Sequence, residues 1–262
     1  MIRPSRGQWA GVALLLLLAL FALGVPQLIP GDPTRQSLSN ALLPPGGPFP
    51  LGTDAFGRDM VLRLAAAIRL SLGIALLTTA LAGVIGVALG VLAGACGGWV
   101  DRALCGVADT LLALPGLLLV LLLVAIAPGQ FWPLYLGVSL VLWVEYFRMT
   151  RAAALRIAAS PAVEASRLLG FGPVYRFRRH YWPELAPITL TVGAFGSATS
   201  VMSVAALGFV NVGVRPPTPE LGQMMIELMP YYNEAPLILA QPILVVFLLV
   251  LALNLIAGGK TQ

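Results

Sequence analysis

The chain has 262 residues, of which 58% are hydrophobic and only 10% charged, and its mean hydropathy is +0.90. A soluble domain carries about 25% charged residues, so lipid must be the solvent here, which leaves α-helices or a closed barrel. The apolar runs are continuous rather than alternating, which favours helices. The net charge of +5 does not point to nucleic acid, because the basic residues lie beside the apolar runs, and a single histidine excludes a His-rich metal centre.

A membrane-spanning helix needs about 20 apolar residues. Six segments qualify, at 9–29, 70–95, 104–127, 132–147, 188–210 and 237–257, and predict one all-α polytopic membrane domain over 1–262. The first has the Arg3 and Arg6 start and Leu-rich core of a signal peptide, but its apolar run is long for one and an uncleaved span is expected. The segment that follows opens with Pro30, Gly31, Asp32 and Pro33, and its Pro44-Pro45-Gly46-Gly47-Pro48 stretch cannot be helical. From Asp59 to Arg69 an amphipathic pattern predicts an interfacial helix leading into the second span. That span carries Gly73, Gly83, Gly86, Gly90 and Gly94, several at four-residue spacing, which suits close helix packing, with a pore-lining face as the alternative. Cys96 and Cys105 flank a short loop and read as small apolar fillers, with a disulfide or metal pair as the alternative.

Within the spans, Asp109 and Glu145 are expected to pair with neighbours such as Arg102 or Arg148. So few intramembrane charges argue against a proton-driven transporter. The fourth span is predicted to continue as helix through Arg148 and Arg151 into a charged island, 148–184. With the N-terminus inside, eleven Lys and Arg residues lie inside and five (Arg35, Arg58, Arg63, Arg69 and Arg215) outside, so both termini and the island are expected in the cytosol.

Within the island, Ser160 is an expected N-cap, Pro161 suits the first helical turn and Glu164 the positive helix start. Gly170 is an expected helix stop, and a second helix is predicted from Val174 to Tyr181. The product is a helix–turn–helix with a small-residue face (Ala162, Ala165, Ser166) and a basic rim that includes Arg178 and Arg179. Composition alone reads the island as an anchor beside anionic lipid. His180 is read as structural, at the junction with the fifth span. On the outer side, Asp54, Arg58 and Asp59 form a cluster at a turn that the Gly52 and Gly57 spacing is expected to fix, with Asp54–Arg58 or Asp59–Arg63 pairs expected. Further along, Glu220, Glu227, Glu234, Met224, Met225 and Met229 allow a docking or soft-metal reading, against plain packing and solvation. No Gly-x-x-x-x-Gly-Lys-Ser/Thr motif is present, so the chain is not expected to hydrolyse ATP.

Four stretches carry a family resemblance: LGTDAFGRDMVLRLAAAIRLSL (51–72), GGWVDRALCGVADTLLALPGLLL (97–119), EASRLLGFGPVYRFRRHYWP (164–183) and GVRPPTPELGQMM (213–225). In this order they resemble ABC importer permeases of the oligopeptide, dipeptide and nickel family, and the "C"-type subunit in particular. The resemblance implies a type I importer permease fold in a bacterial inner membrane and a role as half of a translocation pathway for peptides, nickel or metal chelates such as metallophores. It implies four partners: a homologous second permease, two cytosolic ATPases that hold ATP and Mg, and an extracytoplasmic substrate-binding protein. No cofactor is expected on this chain. Glu164, Ala165, Ser166 and Gly170 fall on the family's ATPase-coupling loop, with Arg178 and Arg179 at its rim; Asp54, Arg58 and Asp59 fall on the binding-protein side. The third small residue of the Glu-Ala-Ala motif is Ser166 here, and the usual Leu before the loop's proline is Trp182. The rival readings are a stand-alone secondary transporter or channel, needing no ATPase, and a membrane assembly subunit that moves nothing.

Overall fold

The computed structural model describes residues 5–127, 130 and 132–258. Arg3 and Lys260, which enter the charge bias, lie outside these residues. Among the described residues the chain is helical; no strand forms, and only two isolated bridges occur in the loop before residue 60.

Helix α1 (Arg6–Leu28) starts at a capping box: Gln8 N–H donates to Ser5 Oγ and Ser5 N–H to Gln8 Oε1. It packs beside α10 (Pro236–Ala257), where a Cβ at Gly11 would stand 2.7 Å from the Ala252 carbonyl oxygen. Helix α2 (Met60–Cys96) runs for 37 residues, about 55 Å at 1.5 Å per residue, well beyond a hydrocarbon core of about 30 Å. The predicted interfacial helix is therefore the start of α2 itself. Met60, Ala65, Ala67 and Ile68 are fully buried, covered by protein rather than laid on a lipid surface. The reason is α9 (Leu221–Leu228), whose Leu221, Met224 and Leu228 share an apolar cluster with Met60, Leu64 and Ile68.

The glycine-rich side of α2 is a packing seam. Added Cβ atoms at Gly86, Gly90 and Gly94 would come within 2.6, 2.9 and 2.9 Å of backbone atoms of Trp143, Phe147 and Leu155. All three neighbours lie on α5 (Trp132–Ala158), so the two helices touch backbone to backbone. Helices α3 (Gly98–Leu112) and α4 (Gly116–Ile126) differ most from expectation. They meet at an 82° bend rather than forming one straight helix over 104–127. Pro115, which lacks an N–H and caps α4, sits at the break. Asp109 pairs with Arg148 at 2.7 Å, as expected, while Asp101 takes Arg151, a pair the sequence did not suggest. Cys96 and Cys105 are both free.

Helix α6 (Pro161–Leu168) follows α5, and α7 (Pro173–Arg176) runs through a π-turn at Phe177–Tyr181 into α8 (Trp182–Phe209). Thr78 and Ser200 hydroxyls meet at 2.8 Å, and Ser197 donates to Thr79 at 3.1 Å, tying α2 to α8. Four helical stretches (α1, α2, α7–α8 and α10) are long and apolar enough to cross a membrane, and the bent α3–α4 pair is a fifth candidate. The remaining segment of the sequence reading, the fourth, is α5, 27 residues long, which carries Glu145, Arg148, Arg151 and Arg156 and is buried along much of its length.

Candidate functional site

Two groups of side chains, one at each end of the bundle, are candidates. The first is the turn of chain between α5 and α8. Ser160 caps α6, its Oγ accepting from Val163 N–H, and Pro161 takes the first helical position. Glu164 lies in the first turn, where the helix dipole favours a negative charge, and it is exposed. The helix ends in a Schellman motif: Phe171 N–H donates to Ser166 O and Gly170 N–H to Arg167 O, with Gly170 at φ +78°. Val163 and Ser166 face inward. Val163 packs against Ile157, Tyr181 and Leu185, and Ser166 Oγ lies 2.8 Å from His180 Nε2. That hydrogen bond ties α6 to the π-turn, so His180 has the structural position expected of it.

The second helix of the loop does not stop at Tyr181. It is the opening of a 37-residue helix, Pro173–Phe209. The π-turn absorbs one extra residue, with Trp182 N–H bonding to Phe177 O, just ahead of Pro183, which cannot donate. Arg178 and Arg179 on this turn are exposed, as are Ala162 and Ala165 on α6.

Sequence reasoning missed the apolar part of this surface. Leu168 and Leu169 are 83% and 74% exposed, Val174 70%, and the Phe171 and Tyr175 rings stack at 4.3 Å in the open. An exposed apolar patch of this kind marks an interaction surface. The available signal was the unusual run Leu168-Leu169-Gly170-Phe171-Gly172-Pro173-Val174-Tyr175 inside an otherwise charged island.

The second group lies between the loop before α2 and α9. Gly52 and Gly57 both adopt positive φ (79° and 70°), and a Cβ at Gly57 would collide with the Ser37 carbonyl oxygen, so the turn needs glycine at that position. Asp54 Oδ1 accepts from the Phe56 and Arg58 N–H groups at 2.9 Å. Its Oδ2 pairs with Arg58 and, at 3.2 Å, with Arg63. Both guanidiniums also reach Glu227 Oε2, at 2.6 and 3.0 Å. Of the two pairs expected, Asp54–Arg58 forms and Asp59–Arg63 does not. Asp59 instead caps α2, accepting from Val61 N–H at 2.7 Å, which leaves Arg63 free for the shared carboxylates. Asp54, Arg58 and Arg63 are buried and Glu227 is partly so, and the four make an ionic cluster that joins α2 to α9.

Beside it, Glu220 caps α9 and is buried. Burial pushes its carboxyl above the ordinary 4.5, opposed by the N–H groups of Gly222, Gln223 and Leu221. Glu227 and Glu220 thus turn inward into the protein, and Met224 is core. No group of three or more His, Cys, Asp or Glu able to hold a metal occurs among the described residues.

A family profile described as a binding-protein-dependent transport system inner membrane component matches residues 86–259. The chain belongs to this family. It is also 33% identical to a dipeptide transport system permease protein, DppC, of Haemophilus influenzae, over 98% of this chain and 89% of that protein. With a nickel transport system permease protein, NikC, of Escherichia coli it shares 34% identity over 94% of this chain and 89% of that one. Among solved structures, an inward-facing MetNI methionine ABC transporter chain matches with TM-score 0.58 at 20% identity, covering 74% of this chain and 94% of that chain. This last likeness concerns the fold, that of an ABC importer permease. The chain is thus a permease component of the oligopeptide, dipeptide and nickel group, a multi-pass helical protein of the inner membrane, and both candidate groups belong to such a permease.

Proposed function

We propose that this permease forms half of the translocation pathway of an ATP-driven importer for peptides or for nickel or a metal chelate, and that α6 with the π-turn is its ATPase-coupling socket. The observation that carries the reading is the exposed surface of this loop. Glu164, Ala165, Leu168 and Leu169 stand out from a helix whose other side is anchored by Val163 and Ser166. Small and apolar residues let a partner groove close on the helix, and Arg178 and Arg179 supply a charged rim. Gly170 fixes the direction in which the chain leaves α6.

In this reading both termini and the loop are cytosolic, all six hydrophobic segments cross the membrane in a single permease domain, and the ionic cluster faces the side of the substrate-binding protein. The second permease and two ATPases complete the complex, and the ATPases hold the ATP and Mg. Closure of the ATPase pair moves α6 as a unit. Because α7 is continuous with α8, the motion passes into the bundle along one helix.

The test is co-purification of the detergent-solubilised chain with its neighbours, wild type against Glu164→Arg. The reading expects an ATPase and a second permease with the wild type, and loss of the ATPase from the variant. A wild-type chain that purifies alone and supports uptake dependent only on the proton gradient would make it a stand-alone transporter; unchanged uptake on deletion would make it an assembly subunit.

A further inference from the structure

One aromatic pair joins the two arms of the turn between α5 and α8. Phe171 follows the Gly170 stop of α6, and Tyr175 lies on α7. Their rings stack at 4.3 Å, and both side chains are exposed. The Tyr175 ring meets His180 edge-on at 6.3 Å, and His180 is the residue that holds Ser166 of α6. A load on the stack therefore reaches α7 directly and α6 through Ser166.

The exposed side chains of Leu168, Leu169 and Val174 extend the apolar patch. A patch of this kind calls for a cover, and lipid or a protein could supply it. Helix length decides between them. The helix Pro173–Phe209 runs about 55 Å, against a bilayer of about 40–45 Å with its headgroups and about 30 Å without them. Its apolar stretch begins near residue 188, so Pro173 stands about 20 Å ahead of that stretch. That distance carries the stack clear of acyl chains and headgroups, and the cover is a protein. The charge of that protein follows from the arginines around the patch. Arg167, Arg178 and Arg179 are exposed and enter none of the ion pairs among the described residues. Of the two exposed carboxylates of this turn, Glu184 is taken by Arg156 at 3.9 Å, which leaves Glu164 against three guanidiniums.

We propose that Phe171 and Tyr175 form a second grip, separate from α6, which seats in an apolar pocket rimmed by carboxylates on the ATPase subunit. The inference rests on the importer reading and deepens it: it states the chemistry of the partner's surface and gives that partner a direct hold on the helix that enters the bundle. Stacked aromatics suit an anchor, because they bury a large apolar area and are already ordered before binding.

The test titrates purified ATPase onto the permease pair in nanodiscs. Wild-type affinity should fall as salt is raised, since exposed charge pairs are screened. Phe171→Ala and Tyr175→Ala should each weaken the association about tenfold, the scale of losing one anchoring aromatic. Phe171→Tyr keeps a stacked ring and should stay near wild type. Arg178→Gln combined with Arg179→Gln should flatten the salt dependence. Leu38→Ala, 73% exposed in the segment before α2, should change nothing. Wild-type affinity in both alanine variants overturns the proposal and leaves the importer reading standing, because the ATPase still binds. Equal losses in Phe171→Ala and Phe171→Tyr overturn it as well, since the ring is then not what is gripped. So does an affinity that follows the anionic-lipid content of the nanodisc and ignores both alanine variants, which assigns the stack to lipid. No binding of ATPase to the wild type at any salt removes the importer reading and this grip together.

Discussion

The two ends of this molecule are held by opposite kinds of interaction. At the α2–α9 end, two guanidiniums and the Asp54 carboxylate are buried against a partly buried Glu227, and the loop that carries Asp54 is fixed by backbone hydrogen bonds and positive-φ glycines. At the α6 end, the helix is held by a few inward side chains and one Ser–His hydrogen bond, and it presents bare leucines and aromatics. A buried ionic cluster tolerates little displacement, because any separation leaves a desolvated charge unpaired. A short helix resting on one apolar side can move as a body without such a penalty. The contrast suits a device with a fixed frame at one end and a lever at the other.

The sharpest way to break the contrast is to destroy the frame. Asp54→Ala removes two backbone acceptor bonds and leaves Arg58 and Arg63 sharing only Glu227. Breaking a buried pair costs about 3–5 kcal/mol, so the melting temperature of the purified protein should drop well below wild type, with lower yield. A melt within a degree or two of wild type would mean that the cluster is not the frame. At the other end, Gly170→Val forces a β-branched residue into φ +78°, at about 1–3 kcal/mol of local strain. Transport should fall severalfold while membrane insertion and the global melt stay close to wild type. Unchanged uptake at normal expression would remove Gly170 from the lever.

The Ser166–His180 bond is the finer test. His180→Ala deletes one hydrogen bond, about 1 kcal/mol, and should loosen α6 enough to lower transport per ATP hydrolysed. His180→Gln, which can still meet Ser166, should recover most of it. Equal loss in both variants would show that the ring's packing matters and the bond does not.

The smallest expected effect is a pH dependence in the frame. Glu220 has a raised folded pKa caused by burial, so its favourable contribution is complete below the ordinary 4.5 and is lost as pH rises through the folded value. Glu220→Gln can keep the cap to Gln223 N–H without the charge. The variant should therefore melt higher than wild type at pH 8, and the gap should close toward pH 4.5. A gap that widens on acidification would contradict the assignment.

What could be read from the sequence follows the range of the interactions. The α6 cap at Ser160, its proline at 161 and its stop at Gly170 depend on neighbours within a few residues, and each is legible. The Gly86, Gly90 and Gly94 seam is legible because one helix face repeats every four residues. Arg63 joining Glu227 was not, since α9 is distant in sequence and only the fold brings it near. Asp59–Arg63 was the natural local guess. It fails because Asp59 at the N-cap accepts from the Val61 N–H of its own helix instead. The bend before α4 was missed for a different reason: an unbroken apolar run is silent about direction, and Pro115 was its one visible signal. The exposed Leu168, Leu169 and Phe171 were overlooked because apolar residues are read as buried by default, whereas here their partner is another chain in the proposed complex.

The central claim is that α6 is the surface an ATPase grips, and proximity tests it most directly. Ala165→Cys would be made in a chain with Cys96 and Cys105 replaced by serine, in the assembled complex. A short thiol–amine cross-linker would then be applied. The account predicts a cross-link to the ATPase subunit from residue 165 and none from a cysteine at Arg35. Cross-linking from 165 to lipid or to nothing, in a complex that still hydrolyses ATP and transports, would contradict it.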